Sequence, residues 1–321
     1  MADFPAYADL KRPDATGLPL AWGVWGPDDE LGTLNHITPE TVVEAARLVR
    51  RGVRFNLDLP LHVPFGIIKP GMHRHRRHPT PKMYTRENPY LHGRDDKLDD
   101  FFLQASSQWD GLTHMGLPTG FYNNVPAANV THGEGSKNGI DKVAAFGLVG
   151  RCVLADLARH FAATGRAYDP HGSDIITVDE LMACLAAQGA GLQPGDILLL
   201  RTGWVANLLD APDQATRNAR IDPWQFSGMD GSEAMWKFVW DNRLAAVAAD
   251  NVAVERTPRP EGETSLHMAI ARLGLTLGEM FDFEALAADS AATGDYTAFF
   301  TSSPLNLRGG VGSPPNAIAV R

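Results

Sequence analysis

An aspartate and a histidine stand four residues apart in the stretch SSQWDGLTHMGLPTGFYNN, which covers residues 106–124. This spacing places Asp110 and His114 on one side of the chain, whether it is helical or extended, so the two side chains can converge. One carboxylate oxygen and one imidazole nitrogen suit zinc, manganese or iron(II). A structural hydrogen bond between the two side chains would explain the same spacing, so the pair alone does not establish a metal site.

A second pair of side chains able to bind metal lies far downstream. His267 falls near the start of SLHMAIARLG, and Glu279 follows in LTLGEMF. Leu266 and Met268 flank the histidine, which also suits a buried histidine with a structural hydrogen bond. Glu279 could equally be a solvated acid in a loop.

Other side chains suit contact with a substrate. Trp22, Trp25 and Trp109 could form the wall of a pocket, because indole rings suit flat aromatic or lactone substrates. Asp250 and Asn251 end an apolar strand, a common place for functional residues in α/β proteins. We expect Trp25, Trp109 and Asn251 to bind substrate, although tryptophans are more often core residues and Asn251 could instead cap a turn.

The elements that must position these residues begin with a helix and a strand. TPETVVEAARLVRRG, at 38–52, offers Thr38 as N-cap, Pro39 at the first helical position and Gly52 as the stop. VRFNLDLPL follows directly, and its alternating apolar residues predict a strand.

From residue 140 onward, predicted strands and helices alternate. The strand segments RCVLADL, LQPGDILLLRTGW and RLAAVAADNVAVE contain continuous apolar runs, which indicate a sheet covered on both faces. TVDELMACLAAQG carries a capping box of Thr177 with Glu180, and SLHMAIARLG ends at Gly274. The alternation predicts the α/β class, with a substantial β-sheet among helices.

Residues 62–100 show no clear periodicity. The segment holds five prolines and the cluster HRHRRH at 73–78. The interleaved arginines would repel a cation, so a solvated or interface loop is the better interpretation than a metal site. We expect a single domain over residues 1–321, in which the loop at 62–100 serves as a lid or a subunit interface.

Composition restricts the partners of the chain. Its net charge is −9, which argues against nucleic acid and anionic membranes. The two cysteines, Cys152 and Cys184, lie in apolar segments and are expected to be buried thiols, which suggests a reducing compartment. The N-terminal residues do not resemble a signal peptide, and we expect a cytoplasmic protein.

Several stretches together resemble the cyclase family that includes kynurenine formamidases and isatin hydrolase. They occur in a plausible order along nearly the whole chain: WGPDDELGTLNHITPE, QWDGLTHMG, FYNN, GLVGRCVLADLAR, LQPGDILLLRTGW, DNVAVE, SLHMAIARLGLTLGE and SPLNLRGGVGSPPNAIAVR. The resemblance implies a mixed β-sheet core flanked by helices, of the swivelling β/β/α type. It also implies a homodimer or homotetramer.

The formamidase-like members carry the signature His-x-Gly-Thr-His-x-Asp-x-Pro-x-His. Laid on this sequence, its two leading histidine positions fall on Asp110 and His114, while its aspartate and last histidine fall on Gly116 and Gly120. A glycine side chain cannot bind metal or carry a proton. The resemblance therefore implies a single divalent ion, Mn²⁺ or Zn²⁺, in place of a two-metal site.

The downstream ligands of the family are a histidine and a glutamate twelve residues apart, which match His267 and Glu279. We expect Asp110 and His114, with one or both of His267 and Glu279, to hold the ion. Glu279 could serve as a catalytic base if it is not a ligand.

Another group must handle protons if Gly120 cannot. His132, in NVTHGEGS, is the candidate base or proton shuttle, because histidine titrates near neutral pH. Tyr122 and Asn123 offer a donor and an amide for substrate contact, although ordinary turn chemistry would also explain them.

These expectations predict a hydrolase of a small cyclic or N-acyl substrate, in which metal-activated water attacks an amide or lactone carbonyl. One alternative is a lyase or isomerase that works without metal through His114, His132 and Glu279. The other is a protein of the same fold that binds a small molecule without catalysis.

Overall fold

The computed structural model of the protein describes residues 4–64 and 79–321. Its strands, in chain order, are β1 (Arg54–Asn56), β2 (Thr80–Asn88), β3 (Leu91–Asp99), β4 (Gln108–Asp110), β5 (Leu148–Asp156), β6 (Ile175–Ile176), β7 (Ile197–Arg201), β8 (Gly228–Met229), β9 (Ala246–Ala249), β10 (Thr276–Glu279), β11 (Thr297–Ser302), β12 (Gly312–Ser313) and β13 (Ala317–Val320). The α-helices are α1 (Pro39–Ala46), α2 (Ile140–Phe146), α3 (Leu157–Thr164), α4 (Val178–Ala187), α5 (Trp204–Leu209), α6 (Gln214–Ile221), α7 (Glu233–Asp241), α8 (Leu266–Leu273) and α9 (Glu284–Thr293).

Nine strands of the described residues form one mixed sheet, in the order β1-β13-β11-β5-β7-β9-β10-β4-β12. The four central strands β5, β7, β9 and β10 run parallel, and the strands on both flanks are antiparallel. Helices lie between successive parallel strands, as the predicted alternation requires. The predicted α/β class and the mixed sheet are both confirmed.

The central strands are buried on both faces, which explains their continuous apolar sequences. In β7, Leu198 and Leu200 point into one hydrophobic core, and Ile197 and Leu199 point into another. The first core also contains α4, α7 and α8, and the second contains the buried face of α9. Leu112, Leu266 and Leu277, which are chain neighbours of candidate metal ligands, belong to the first core.

Capping residues and a glycine stop in the sequence predicted ends of three helices. Thr38 caps α1, but the helix ends at Ala46, before the predicted stop at Gly52. The capping box of Thr177 with Glu180 is present at the start of α4. Gly274 ends α8 in the left-handed conformation at φ 71°, which glycine adopts without steric cost.

The prediction of an irregular segment at 62–100 is wrong for its second half. Strands β2 and β3, of nine residues each, form an antiparallel hairpin whose side chains are almost all exposed. The sequence shows no alternation of apolar and polar residues here, because polar residues occupy both faces of the two strands. The cluster at 73–78 lies outside the described residues, and a lid or interface role for the segment stays a prediction.

Both cysteines are buried free thiols, as predicted, and burial raises the pKa of each to about 12. Among residues 4–64 and 79–321, no helix combines the length and the apolar character needed to cross a bilayer.

Candidate metal centre

The centre is built on the pairing of two neighbouring strands. Strand β4 runs antiparallel to β10, with Gln108 opposite Glu279 and Asp110 opposite Leu277. Side chains two apart on a strand share a face, so Gln108, Asp110 and Glu279 point to the same side. Gly278 permits this close pairing, because an added Cβ would lie 2.7 Å from the Trp109 ring.

Helix α8 brings His267 to the same side of the sheet. Ser265 caps the helix by accepting a hydrogen bond from the Met268 amide at 3.1 Å, which places His267 in the first turn. Its Nε2 lies 3.2 Å from Oε1 of Glu279 and 3.8 Å from Oδ2 of Asp110. The two stretches, over 150 positions apart in the chain, therefore meet as predicted.

His114 completes a three-residue cluster. The turn after β4 carries it back, so that its Nδ1 lies 3.6 Å from Oδ1 of Asp110 and its ring centre 5.8 Å from that of His267. One ligand atom from each of Asp110, His114 and His267 lies within 4.8 Å of the other two, close enough to share one metal ion. Glu279 contacts His267 but is not part of this group of three.

Asp110 is fully buried, and its Oδ2 has no hydrogen-bond partner among the described residues. A buried carboxylate oxygen without a partner is costly, because no group replaces the lost hydration. A bound cation would satisfy it. The donor set and this oxygen therefore fit a divalent metal ion.

Two glutamine amides orient the acidic side chains. Gln104 Nε2 donates to Asp110 Oδ1 at 2.7 Å and lies 2.9 Å from His114 Nδ1. Gln108 Nε2 donates to Glu279 Oε2 at 2.6 Å. The sequence analysis missed both residues; for Gln108 the signal was its position two before Asp110 on a strand.

Glu255 holds His267 from the other side of the ring. Its Oε1 lies 3.0 Å from His267 Nδ1, and its Oε2 accepts a hydrogen bond from the Leu266 amide at the start of α8. Carboxylates in this position fix the ring orientation and raise the basicity of a metal-binding histidine. The sequence analysis missed Glu255, although it precedes His267 by the same twelve residues that separate His267 from Glu279.

The electrostatic balance at His267 favours its protonated form in the metal-free protein. Burial opposes the charged imidazole, but hydrogen bonds and charges from Glu255 and Glu279 outweigh burial and raise the pKa of His267 well above its usual value. A metal ion must therefore displace a proton from this ring in order to bind.

The two glycines at the altered signature positions build a tight turn. Leu117 and Gly120 exchange backbone hydrogen bonds at 2.9 and 3.0 Å. Gly120 has φ +149°, and a Cβ added to Gly116 would lie 3.0 Å from the Phe121 ring. A larger residue at Gly116 would require the Phe121 ring to move by a few tenths of an ångström, and at Gly120 the positive φ strains any other residue, so this turn disfavours the missing ligands.

Tyr122 and Asn123 hold the N-terminal segment in place, and these contacts give no support to the prediction that they bind substrate. Tyr122 is fully buried and donates its hydroxyl to Asp29 Oδ2 at 2.9 Å. Asn123 accepts from the Gly23 amide at 2.8 Å and donates to the carbonyl of Gly26 at 2.9 Å. Their polar atoms are used by contacts more than 90 positions away, which local spacing could not reveal.

The contacts of Trp109 give no support to its predicted role in substrate binding either. Trp109 is fully buried on the face of β4 opposite Asp110, where it packs edge-on against Phe281 at 5.0 Å. Its indole nitrogen donates to Ser302 Oγ at 2.9 Å. The alternation of strand side chains sends it into the second core.

Trp25 packs in an aromatic cluster with Phe4, His36 and Trp240, at ring-centre distances of 5.4 to 5.7 Å. No ring contact joins Trp25 to His114 or His267 within the described part of the chain. The structure therefore gives no support to Trp25 as a substrate contact.

The two remaining predicted residues also stand apart from the cluster. His132 lies in an exposed turn, and the described residues show no hydrogen bond or ion pair between it and the cluster. Asn251 is fully buried, and its amide donates to the Ser227 carbonyl at 2.8 Å and accepts from the Val254 amide at 2.7 Å. Asn251 therefore caps a turn, and the structure gives no support to its predicted contact with substrate.

Comparison with known proteins agrees with this architecture. The family model described as "Putative cyclase" matches residues 57–256. A crystal structure described as a novel cyclase is 35% identical, with a TM-score of 0.81, over 94% of this chain and 99% of that chain. No protein among the curated sequences matches the chain.

Two more distant structures share the fold. Isatin hydrolase A from Ralstonia solanacearum is 16% identical, with a TM-score of 0.57, over 89% of this chain and 98% of its own. Isatin hydrolase A from Labrenzia aggregata, bound to benzyl benzoate, is 15% identical, with a TM-score of 0.54, over 87% of this chain and 97% of its own.

Proposed function

The chain belongs to the cyclase family, and from that premise we propose that it is a metal-dependent hydrolase of an amide or lactone bond in a small cyclic or N-acyl substrate. The observation that carries the proposal is the convergence of Asp110, His114 and His267, whose ligand atoms lie within 4.8 Å of one another. The isatin hydrolases that share the fold give a precedent, by their names, for hydrolysis of a cyclic substrate.

The proposed ligands are Asp110 Oδ2, a nitrogen of His114 and Nε2 of His267. One carboxylate and two imidazoles suit zinc or manganese, and three protein ligands leave positions open for water or substrate, as in catalytic sites. When bound, the ion would supply a polarised carbonyl and a water molecule of lowered pKa. Gln104 and Glu255 fix the ligand orientations from outside this set.

Glu279 is the proposed proton carrier, because it lies beside the cluster but outside the closest three ligands. Its Oε1 lies 3.2 Å from His267 Nε2, and Gln108 holds its other oxygen. In the proposed reaction, water adds to the carbonyl carbon and Glu279 takes its proton. The C–N or C–O bond then breaks, and the proton passes to the leaving nitrogen or oxygen.

The metal-free lyase or isomerase alternative depends on His132 acting beside His114 and Glu279. His132 is exposed, and no hydrogen bond or ion pair between it and the metal cluster is seen in the described part of the chain. The structure therefore offers no observation in favour of that alternative.

The test of the proposal is a hydrolysis assay with N-formyl amines, lactones and isatin-like rings, with Mn²⁺ or Zn²⁺ present. We expect turnover of at least one class, and a loss of kcat on the order of a hundredfold or more in Glu279→Gln. Glu44→Gln is the matched control, since Glu44 is an exposed residue paired with Arg47. Absence of hydrolysis in every class, or full activity in Glu279→Gln, would contradict the proposal.

A further inference from the structure

A strained turn connects the end of β9 to Glu255. Val254, the residue before Glu255, is fully buried and has φ +59°. The left-handed region is unfavourable for a β-branched residue, because its Cβ lies close to the backbone carbonyl. Such a conformation persists only where the surrounding contacts enforce it.

The Asn251 side chain helps to hold this turn, together with the Met229 amide, which donates to the Val254 carbonyl at 3.0 Å. Asn251 Oδ1 accepts a hydrogen bond from the Val254 amide at 2.7 Å, and its Nδ2 donates to the Ser227 carbonyl at 2.8 Å. The turn is also tightly enclosed, since a Cβ added at Gly228 would lie 2.7 Å from Asn251 Nδ2. The side chain thus ties the turn to strand β8.

The conformation of Val254 decides where Glu255 points. With the turn held, the carboxylate of Glu255 reaches both His267 Nδ1 and the Leu266 amide. A relaxed Val254 would redirect the chain at the residue that carries this carboxylate. The orientation of His267 therefore depends on a side chain that does not touch it.

The backbone of Asn251 supports the opposite side of the cluster in a similar way. Its carbonyl accepts a hydrogen bond from the Met280 amide at 2.9 Å. Met280 is also left-handed, at φ +55°, and directly follows Glu279. Asn251 thus contacts both strained residues that adjoin the two carboxylates beside His267.

We propose that Asn251 is a positioning residue: by holding Val254 in the left-handed conformation, it directs Glu255 to His267 and so orients that imidazole for metal binding. This inference rests on the proposed metal site. It assigns no contact with substrate or metal to Asn251.

The first test compares the divalent metal affinity of Asn251→Ala and wild type by competition with a chelator. We expect binding about tenfold weaker in Asn251→Ala, because outer partners of metal ligands typically contribute 10–100-fold to affinity. Asn138→Ala is the matched control, since Asn138 is also buried and holds another turn through the Tyr122 carbonyl at 2.8 Å. Equal affinities in Asn251→Ala and wild type would overturn the proposal.

A second test separates positioning from a general loss of stability. Glycine adopts positive φ without strain, so the hydrogen bond from Asn251 is no longer needed to hold this conformation in Val254→Gly. When Asn251→Ala is added to Val254→Gly, metal affinity should change by less than about threefold. The same substitution in the wild-type chain should change it by about tenfold. A tenfold loss on adding Asn251→Ala to Val254→Gly would overturn the proposal, and this comparison within the glycine background can be made even if Asn251→Ala alone does not fold.

Crystal structures of the same variants distinguish this inference from the proposed function. If wild type binds no metal, the proposed function fails, but the contact of Glu255 with His267 can still be examined. We expect that contact to be lost in Asn251→Ala and kept in the double variant. If Glu255 still contacts His267 in Asn251→Ala, the positioning role is contradicted, whether or not the protein binds metal.

Discussion

Asp110 is the residue around which the centre is organised. Its Oδ1 is held by Gln104, while its buried Oδ2 has no partner among the described residues. The arrangement fixes the carboxylate and leaves one oxygen for a ligand. The proposal assigns this oxygen to a divalent ion, for which a charged oxygen donor is suitable.

Gln104 gives the first prediction. Its amide nitrogen contacts Asp110 Oδ1 and His114 Nδ1, so Gln104→Leu should leave both ligands less well oriented and weaken metal binding about tenfold. Gln104→Glu should tighten binding, because a second carboxylate beside Asp110 favours a cation. Isothermal titration with Zn²⁺ or Mn²⁺ measures both effects.

The control for this pair is Gln188→Leu, because Gln188 also makes buried hydrogen bonds, to the Leu154 carbonyl and the Asp156 amide. Its metal affinity should equal that of wild type. Equal affinities in all four proteins would show that Gln104 does not orient the ligands.

His171 gives a prediction about stability and pH. Burial lowers the pKa of His171 to about 4, with a further contribution from Arg220. A lowered pKa means that this neutral histidine stabilises the fold fully above pH 6.5, and that this stability is lost as the pH falls toward 4. His171→Phe removes the linkage and keeps a ring beside Trp204, which lies 5.5 Å away.

Wild type should therefore lose stability relative to His171→Phe as the pH falls. The free energy of unfolding of the variant minus that of wild type should increase by about 2 kcal/mol when the pH is lowered from 7 to 5. Urea denaturation at the two pH values measures the change. A difference between the proteins that does not vary with pH would contradict the lowered pKa.

The sequence predicted the candidate metal ligands better than their surroundings. Asp110, His114, His267 and Glu279 carry chemistry in their residue types, and they do converge. Gln104, Gln108 and Glu255 are ordinary polar residues whose roles depend on the register of β4 with β10 and on the turn before Glu255. The structural contacts of Tyr122, Asn123 and Trp109 were not foreseen, because burial and distant partners cannot be inferred from local spacing.

At the scale of elements, the centre lies where three kinds of element meet. Parallel strand β10 ends at Glu279, antiparallel β4 supplies Asp110, and the first turn of α8 supplies His267. The helices and apolar parallel strands were predictable, because periodicity and capping signals are local. Strand β4 is three residues long and is defined by its pairing with β10 and β12, so no local sequence pattern predicted it.

The cap of α8 gives a prediction at this scale. Ser265 Oγ accepts from the Met268 amide at 3.1 Å, so Ser265→Ala should lower the free energy of unfolding by about 1 kcal/mol. Chemical denaturation measures the loss. Ser232→Ala is the control, since Ser232 precedes α7 without a side-chain cap bond and should cost less. An equal loss in the free energy of unfolding of both variants would argue against a stabilising cap at Ser265.

For the whole molecule, the exposed β2–β3 hairpin is the feature that the single chain leaves unexplained. A two-stranded hairpin is at best marginally stable in water, and this one exposes Met83, Tyr84 and Tyr90. Packing against a second copy would stabilise it. The predicted homodimer or homotetramer is thus consistent with the hairpin as a subunit contact.

We predict that replacing residues 82–97 with a short Gly-Ser linker converts an oligomer to a monomer, as measured by light scattering coupled to size-exclusion chromatography. Val43→Ser, which alters an exposed apolar residue of α1, should leave the assembly intact. A monomeric wild type, or an oligomer that survives the replacement, would contradict the interface role.

The most direct test of the account is the metal content of protein purified without chelator, measured by mass spectrometry of the elements. We predict about one divalent ion per chain in wild type and in Asp289→Ala, whose aspartate pairs with Arg51 and Arg321 outside the centre. Asp110→Ala and His267→Ala should each lose the ion. A wild type without stoichiometric metal, or variants that retain it, would contradict the claim that these residues hold a catalytic ion.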